Sequence, residues 1–170
     1  GVSSVTLTST VVARDGIKIS GADVVINDGT NSSYYKSTAD SSISGSQTPG
    51  SAVTVKASLA YSSFTKAISS QDALDALKLS VGLSTSVGAK DAFDFISADF
   101  NQDGKVSSQD ALSILKYSVG LSTPEQAKWI FVDTNGDYSG VSKSNTSYTD
   151  GVTISDLSLD TTVSLTGILI

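Results

Sequence analysis

The sequence predicts an α+β fold in which an antiparallel β-sandwich is interrupted by a helical insert. Segments near both ends of the chain alternate apolar and polar residues and are enriched in β-branched types, which is the pattern of half-buried strands. A near-identical helical motif occurs twice in the middle. We assign residues 1–62 and 126–170 to the sandwich and residues 63–125 to the insert, because about forty C-terminal residues are too few to bury a core alone.

Six segments carry the strand pattern, and they are residues 2–13, 21–28, 32–38, 52–60, 128–133 and 163–170. The stretch 40–51 contains Pro49-Gly50 and is rich in turn-forming residues, so we predict a loop there. Asp150 and Asp156 are interpreted as turn and capping residues.

The helical motif is a tandem duplication. Residues 68–85 read ISSQDALDALKLSVGLST and residues 106–123 read VSSQDALSILKYSVGLST, with 14 of 18 positions identical. Each copy begins with serines that can cap a first turn and ends in a glycine suited to a C-terminal cap. We expect the apolar residues at helical spacing to pack in a core; they are Ala73, Leu74, Leu77 and Val81, with Ala111, Leu112, Leu115 and Val119. A short middle helix is predicted around Phe93 and Ile96, extending toward Phe100.

Composition excludes several kinds of chemistry. The 170-residue chain has no cysteine and no histidine, which removes disulfides, Cys/His zinc sites and imidazole catalysis. A net charge of −6 disfavours nucleic-acid binding, since no basic stripe can displace counterions from phosphates. No apolar run reaches the roughly 18 residues of a membrane-spanning helix, so we expect no membrane insertion. Richness in Asp, Ser, Thr and Gly without sulfur favours a secreted, calcium-binding protein.

Residues 99–110, DFNQDGKVSSQD, carry the clearest chemical motif. An EF-hand-type loop needs oxygen ligands at positions 1, 3, 5, 7, 9 and 12, and a glycine at position 6 for the sharp turn. Gly104 occupies position 6, and Val106 at position 8 is an apolar anchor. The ligand positions hold Asp99, Asn101, Asp103, Lys105 (through its carbonyl), Ser107 and Asp110. The sequence therefore predicts a Ca²⁺ site in this loop.

The loop ends in aspartate instead of glutamate and is followed by one helix in a duplicated unit, which resembles the type I dockerin family. The resemblance covers about Tyr61–Thr123. It implies a compact three-helix unit that binds calcium and docks onto a cohesin-like protein. It also implies partner contacts at loop positions 10 and 11 and on the following helix, which here are Ser70, Gln71, Ser108, Gln109 and Lys116.

The first copy departs from the dockerin pattern. Tyr61, Ser63 and Thr65 stand at positions 1, 3 and 5, and Lys66 replaces the glycine, so only Asp72 is a convincing ligand. We expect this loop to keep the fold without a high-affinity ion. The candidates for a second metal site are Asp72, in combination with a distant group, and the turn residues Asp133, Asn135 and Asp137.

The flanking segments carry a second resemblance. Their order, with GADVVI, YYKSTAD and VTVKASL before the duplication and KWIFV and TGILI after it, resembles prealbumin-like sandwiches. These are related to carboxypeptidase-regulatory and collagen-adhesin B-type domains of bacterial secreted and surface proteins. The resemblance implies a structural or interaction module, such as part of an extracellular adhesin, that is not an enzyme.

Several alternatives remain open at this point. The helical insert packs either against neighbouring parts of its own chain, which we favour, or against a cohesin-like partner; the first predicts a buried apolar surface and the second an exposed patch. A carbohydrate site would use Trp129 with Tyr34 and Tyr35, although we expect Trp129 to be in the core. Asp91 and Asp94 suggest an acid/base pair, but on one short helix we expect them to face solvent.

Overall fold

The computed structural model describes residues 4–38, 43–62, 68–83 and 91–170, and within these residues it contains eight strands and three helices. The strands are β1 (Val5–Ala13), β2 (Asp23–Asn27), β3 (Ser32–Lys36), β4 (Ile43–Gln47), β5 (Ser51–Ser58), β6 (Trp129–Asp133), β7 (Val152–Leu157) and β8 (Thr161–Leu169). The helices are α1 (Ser70–Ser80), α2 (Ala92–Ala98) and α3 (Ser108–Ser118). The fold belongs to the predicted α+β class.

The strands form two four-stranded sheets, one in the order β4-β1-β8-β6 and the other in the order β3-β2-β5-β7. β1 pairs antiparallel with β4 but parallel with β8, with Leu7 opposite Thr161 and Ala13 opposite Gly167. The prediction of purely antiparallel sheets is wrong for this pair. Alternation of apolar and polar residues does not encode strand direction, and the long chain between β1 and β8 permits a parallel arrangement.

Buried apolar residues of both sheets form a single cluster. It contains Val5, Leu7, Val11, Ala22, Val24, Ile26, Val53, Val55, Phe131, Val152, Leu157, Val163 and Leu165. Along β1 the burial alternates with a period of two, as the sequence pattern predicts for a strand with one face in a core. Burial of this surface is the main source of stability for the β-rich part of the chain.

All six predicted strands coincide with observed strands to within three residues at either end, but two observed strands were not predicted. β4 lies in the stretch 40–51, which was expected to be a loop, and its sequence, ISGSQ, has few residues that favour strands. It is a strand because it forms an antiparallel pair with β1. β7 lies where turn and capping residues were expected. It pairs with β5, and Gly151, just before it, approaches the backbone of Val55 too closely for any other residue type.

The helix boundaries lie where the duplicated motif predicts. Ser69 and Ser107 are the N-caps of α1 and α3, and each forms a capping box with the aspartate three residues later. Gly82 and Gly120 follow the last turns with positive φ. No helix among the described residues is long and apolar enough to span a membrane.

The expectation that the apolar stripe packs in a core holds for Ala73 and Ala111, which are buried, and is wrong for its leucines and valines, which are exposed. These exposed residues, together with Leu83 and Leu121, are 43–63% exposed and occupy matching positions in the two copies. We call this set the duplicated apolar face; it consists of Leu74, Leu77, Val81 and Leu83 with Leu112, Leu115, Val119 and Leu121. The buried residues of α1 are Ala73, Ala76 and Leu79, and those of α3 include Ala111 and Ile114. The two helices α1 and α3 are in contact with each other.

The chain divides into two compact units. The β unit comprises Gly1–Leu59, Trp129–Gly136 and Thr149–Ile168, and the helical unit comprises Ala60–Lys128, Asp137–Tyr148 and Leu169–Ile170. Residues 137–148, predicted as part of the sandwich, belong to the helical unit. The reason is that their backbone pairs with the loop between α2 and α3, as described below.

Candidate metal centre

Three aspartates of the loop between α2 and α3 converge. Asp99, Asp103 and Asp110 each offer a carboxylate oxygen, and these oxygens lie within 4.8 Å of one another. Asp99 is only 2% exposed and Asp110 is fully buried, whereas Asp103 is exposed. Two ligands on opposite sides of a Ca²⁺ ion, each at about 2.3–2.6 Å, stand about 5 Å apart, so the three oxygens fit around one such ion.

The loop is shaped by backbone geometry that its glycine permits. Gly104 has φ +93°, a region that side chains other than glycine rarely occupy. This turn directs the Gly104 N–H to Asp99 Oδ2 at 3.0 Å, while the Asp103 N–H donates to Asp99 Oδ1 at 3.2 Å. Glycine at position 6 thus serves the sharp turn for which it was predicted, and the turn folds the loop around Asp99.

Asp110 links the loop to helix α3. Its Oδ2 accepts from the Ser107 N–H at 2.8 Å, which caps the helix, and its Oδ1 accepts from the Asn101 N–H at 3.1 Å. Burial raises the pKa of Asp110, and the charges of Asp99 and Asp103 raise this pKa further. None of the described lysines or arginines forms an ion pair with these three carboxylates. The arrangement therefore gathers negative charge that a cation would neutralise.

The other predicted ligands lie along the same loop. Asn101 Oδ1 accepts from the Asp103 N–H at 3.1 Å, and its Nδ2 donates to Asp103 Oδ2 at 3.4 Å. The Lys105 N–H donates to Asp103 Oδ1 at 3.2 Å, and Ser107 Oγ accepts from the Gln109 N–H at 3.3 Å as the helix cap. Hard oxygen donors of carboxylate, amide and hydroxyl type are the set that Ca²⁺ prefers.

A second segment of the chain, residues 143–148, contacts this loop, and sequence reasoning missed it. The Val106 N–H donates to the Lys143 carbonyl at 2.7 Å, and the Thr146 N–H donates to the Gly104 carbonyl at 3.0 Å. The Thr146 hydroxyl also donates to Asp99 Oδ2 at 2.5 Å. These residues follow the end of the loop by more than thirty positions and match no motif, so no signal in the sequence connects them with it.

The same segment reaches the loop at one more position. The Tyr148 hydroxyl donates to Gln102 Oε1 at 2.8 Å, and Gln102 Nε2 donates to the Asp99 carbonyl at 2.8 Å. Gln102 has φ +58°, an uncommon backbone conformation for a residue other than glycine. The hydrogen bonds made by its side-chain oxygen and its side-chain nitrogen hold Gln102 in this conformation.

The aspartates proposed for a second metal site form hydrogen bonds with backbone N–H groups close to them in the sequence. Asp72 accepts from the Ser69 N–H at 2.8 Å in the capping box of α1. Asp133 accepts from the Asn135 N–H at 2.9 Å, and Asp137 accepts from the Ser139 N–H at 3.0 Å. The bond within its own turn lowers the pKa of Asp137. Among the described residues, none of the three belongs to a cluster of three acidic side chains.

The degenerate first loop is described only in part. Ser63, Thr65 and Lys66, predicted for positions 3, 5 and 6, lie outside the described residues. Tyr61, at position 1, packs edge-on against the ring of Tyr117 with the ring centroids 6.2 Å apart. At this position the first copy therefore makes an aromatic contact.

Asp91 and Asp94 have a structural role. The Asp94 N–H donates to Asp91 Oδ1 at 3.1 Å and the Asp91 N–H donates to Asp94 Oδ2 at 2.8 Å, which is the capping box of α2. Both carboxylates stabilise the start of a helix.

The aromatic residues proposed for sugar binding do not form a shared platform. Trp129 packs against the core cluster and stacks on Phe131 with ring centroids 6.5 Å apart. On β3, Tyr35 also packs against the core, whereas its neighbour Tyr34 is exposed. Successive residues of a strand point to opposite faces, so these two tyrosines do not combine.

The residues predicted for partner binding are all exposed, and they lie on α1 and α3. They are Ser70, Gln71, Ser108, Gln109 and Lys116. The first four are in the first turns of the helices, and Lys116 is in the last turn of α3.

Comparison of the chain with family models, with curated proteins and with solved structures found no match. The resemblances to dockerins and to prealbumin-like sandwiches therefore stay predictions.

Proposed function

We propose that this chain is a non-enzymatic, calcium-binding interaction module of an extracellular bacterial surface protein. The observation that carries the proposal is the convergence of Asp99, Asp103 and Asp110 on one glycine turn. Without an ion, three carboxylates within 4.8 Å of one another repel, and two of them are buried. A bound Ca²⁺ would convert this repulsion into attraction.

Calcium would tie together the elements on either side of the loop. Asp99 is the C-cap of α2 and Asp110 lies in the first turn of α3, so an ion held by both carboxylates orders the α2–α3 junction. If the ion binds with micromolar affinity and is present at millimolar concentration, linkage adds about 4 kcal/mol to the free energy of unfolding. That is a large share of the stability of a small domain.

For the β unit we propose a prealbumin-like or immunoglobulin-like sandwich. The support is that both four-stranded sheets contribute to one buried cluster, as two sheets packed face to face do. Such a unit serves as a structural scaffold.

Calcium titration calorimetry on the chelator-stripped full chain, with melting curves, tests the metal site. We expect one site in the wild-type protein and a higher melting temperature in calcium. Asp110→Asn should abolish both effects. Asp72→Asn is the matched control, because Asp72 holds the same capping position in the other copy but lies outside the cluster. Asp137→Asn tests the turn carboxylate.

Each outcome has a definite meaning. Loss of binding in Asp110→Asn, with binding retained in the other two variants, supports the site in loop 99–110. Loss in Asp72→Asn or Asp137→Asn as well would place the ion elsewhere. Absence of binding by the wild-type protein at millimolar calcium would overturn the proposal.

The second candidate function is docking of a cohesin-like partner through the helices. The observation that favours it over packing within the chain is the exposure of the duplicated apolar face. Large apolar side chains that are exposed at matching positions in both copies are the kind of surface that interaction sites use. The exposed Ser108 and Gln109 lie on α3 within four residues of Leu112, a member of this face, so these predicted partner residues are near it in the helix.

A further inference from the structure

The candidate ion loop is completed by a remote segment of the helical unit. Residues 143–146 run beside loop positions 6 and 8, where the Thr146 N–H donates to the Gly104 carbonyl and the Val106 N–H donates to the Lys143 carbonyl. Val106 and Thr146 are both buried. Two backbone hydrogen bonds with buried donors hold the segment firmly against the loop.

The Thr146 hydroxyl determines which oxygen of Asp99 remains free for an ion. Asp99 Oδ2 accepts from this hydroxyl at 2.5 Å and from the Gly104 N–H at 3.0 Å. A carboxylate oxygen has about two acceptor sites, so both sites of Oδ2 are used. Asp99 Oδ1 accepts one hydrogen bond, from the Asp103 N–H at 3.2 Å, and retains capacity for a further contact.

We propose that Thr146 is a positioning residue of the calcium site, which holds Asp99 so that Oδ1 faces the ion. The inference rests on the proposed function. Removal of a side chain that orients a metal ligand typically weakens metal affinity 10–100-fold, because the ligand must then be ordered by the ion itself. Since coupling between binding and ordering is reciprocal, calcium should in turn stabilise the segment 143–148.

The test measures calcium affinity by titration calorimetry on the full chain. Thr146→Val removes the hydroxyl and keeps the volume, and we expect its dissociation constant for calcium to rise about 10–100-fold. Thr146→Ser keeps the hydroxyl and should stay within a few-fold of wild type. Thr123→Val is the matched control, because Thr123 is a buried threonine of the same unit whose hydroxyl donates to the Glu125 carbonyl. It should lower the melting temperature in chelator without changing calcium affinity.

The results separate this inference from the proposed function. If the wild-type protein binds no calcium, the proposed function fails. If the wild-type protein binds and Thr146→Val binds equally well, or if Thr123→Val weakens binding as much, the positioning role is overturned while the calcium site stands.

A measurement on the wild-type protein covers the case in which Thr146→Val does not fold. Calcium should slow amide hydrogen exchange at Val106 and Thr146, the two donors that pair the loop with the segment. Slowing within residues 99–110 with no change at Thr146 would contradict the coupling.

Discussion

The carboxylate of Asp110 has two roles, and these roles conflict when no cation is present. It caps α3 through the Ser107 N–H, and it is buried beside Asp99 and Asp103. Burial raises its pKa in the folded protein above the value of 3.8 in an unperturbed chain. A group of this kind contributes its full stability below the unfolded value, and this contribution is lost as the pH rises through the folded value. Ion-free protein is therefore penalised by Asp110 at neutral pH.

This penalty predicts an unusual result for Asp110→Asn in calcium-stripped protein. The difference in melting temperature, variant minus wild type, should increase as the pH is raised from about 3.5 to 7, because only the wild-type side chain acquires a buried charge. Melting curves at several pH values measure the difference, with Asp72→Asn as the control at the equivalent helix position. A difference that stays constant over this range would show that Asp110 ionises as readily in the folded protein as in the unfolded chain.

At the scale of elements, α1 and α3 present the same exposed side chains from two copies of one motif. Leu74 corresponds to Leu112 and Leu77 to Leu115, and each pair is exposed to a similar degree. Because α1 and α3 pack on each other, both copies of the face belong to one compact unit. If this face docks a partner, as proposed, it offers that partner two nearly equivalent positions.

The duplication predicts how substitutions affect docking. Purified type I cohesin modules are the probe. The single variants Leu74→Ser and Leu112→Ser should each lose only one of the two equivalent binding positions. The double variant should lose both, and its affinity for the module should fall at least tenfold. All three should melt close to wild type, because surface substitutions typically change stability by about 0.5 kcal/mol each. Calorimetry in calcium checks the affinities. Failure of every module to bind, or equal binding by the double variant, would contradict docking through this face.

At the scale of the whole molecule, the chain passes repeatedly between the two units. Each unit is assembled from three separate stretches, so the chain crosses from one unit to the other five times. The single tryptophan, Trp129, lies in the β unit, while all helices of the described residues lie in the helical unit. Fluorescence and helical circular dichroism therefore report on different units.

We expect one cooperative unfolding transition for the molecule. Thermal curves from Trp129 fluorescence and from circular dichroism at 222 nm should coincide, and calcium should shift both upward by the same amount. Asp110→Asn should remove the shift from both signals. A calcium shift confined to circular dichroism would mean that the units unfold independently.

Features that depend on neighbouring residues could be predicted from the sequence. The capping serines and terminal glycines of α1 and α3 lie within a few residues of the helices that they bound. The glycine turn and the three aspartates of the candidate metal centre lie within twelve consecutive residues, so their convergence depends on local geometry. The strands with clear alternation were recognisable for the same reason.

The tertiary structure decided what depends on residues far apart in the chain. β4 and β7 are strands because they pair with β1 and β5, respectively. The parallel pairing of β1 with β8 joins two strands that are far apart in the sequence. Which apolar residues of α1 and α3 are buried is set by how the helices pack, which periodicity does not encode. Thr146 reaches Asp99 across 47 positions. Hydrogen bonds and packing across such distances arise only when the whole chain folds, and for that reason the sequence carried no local sign of them.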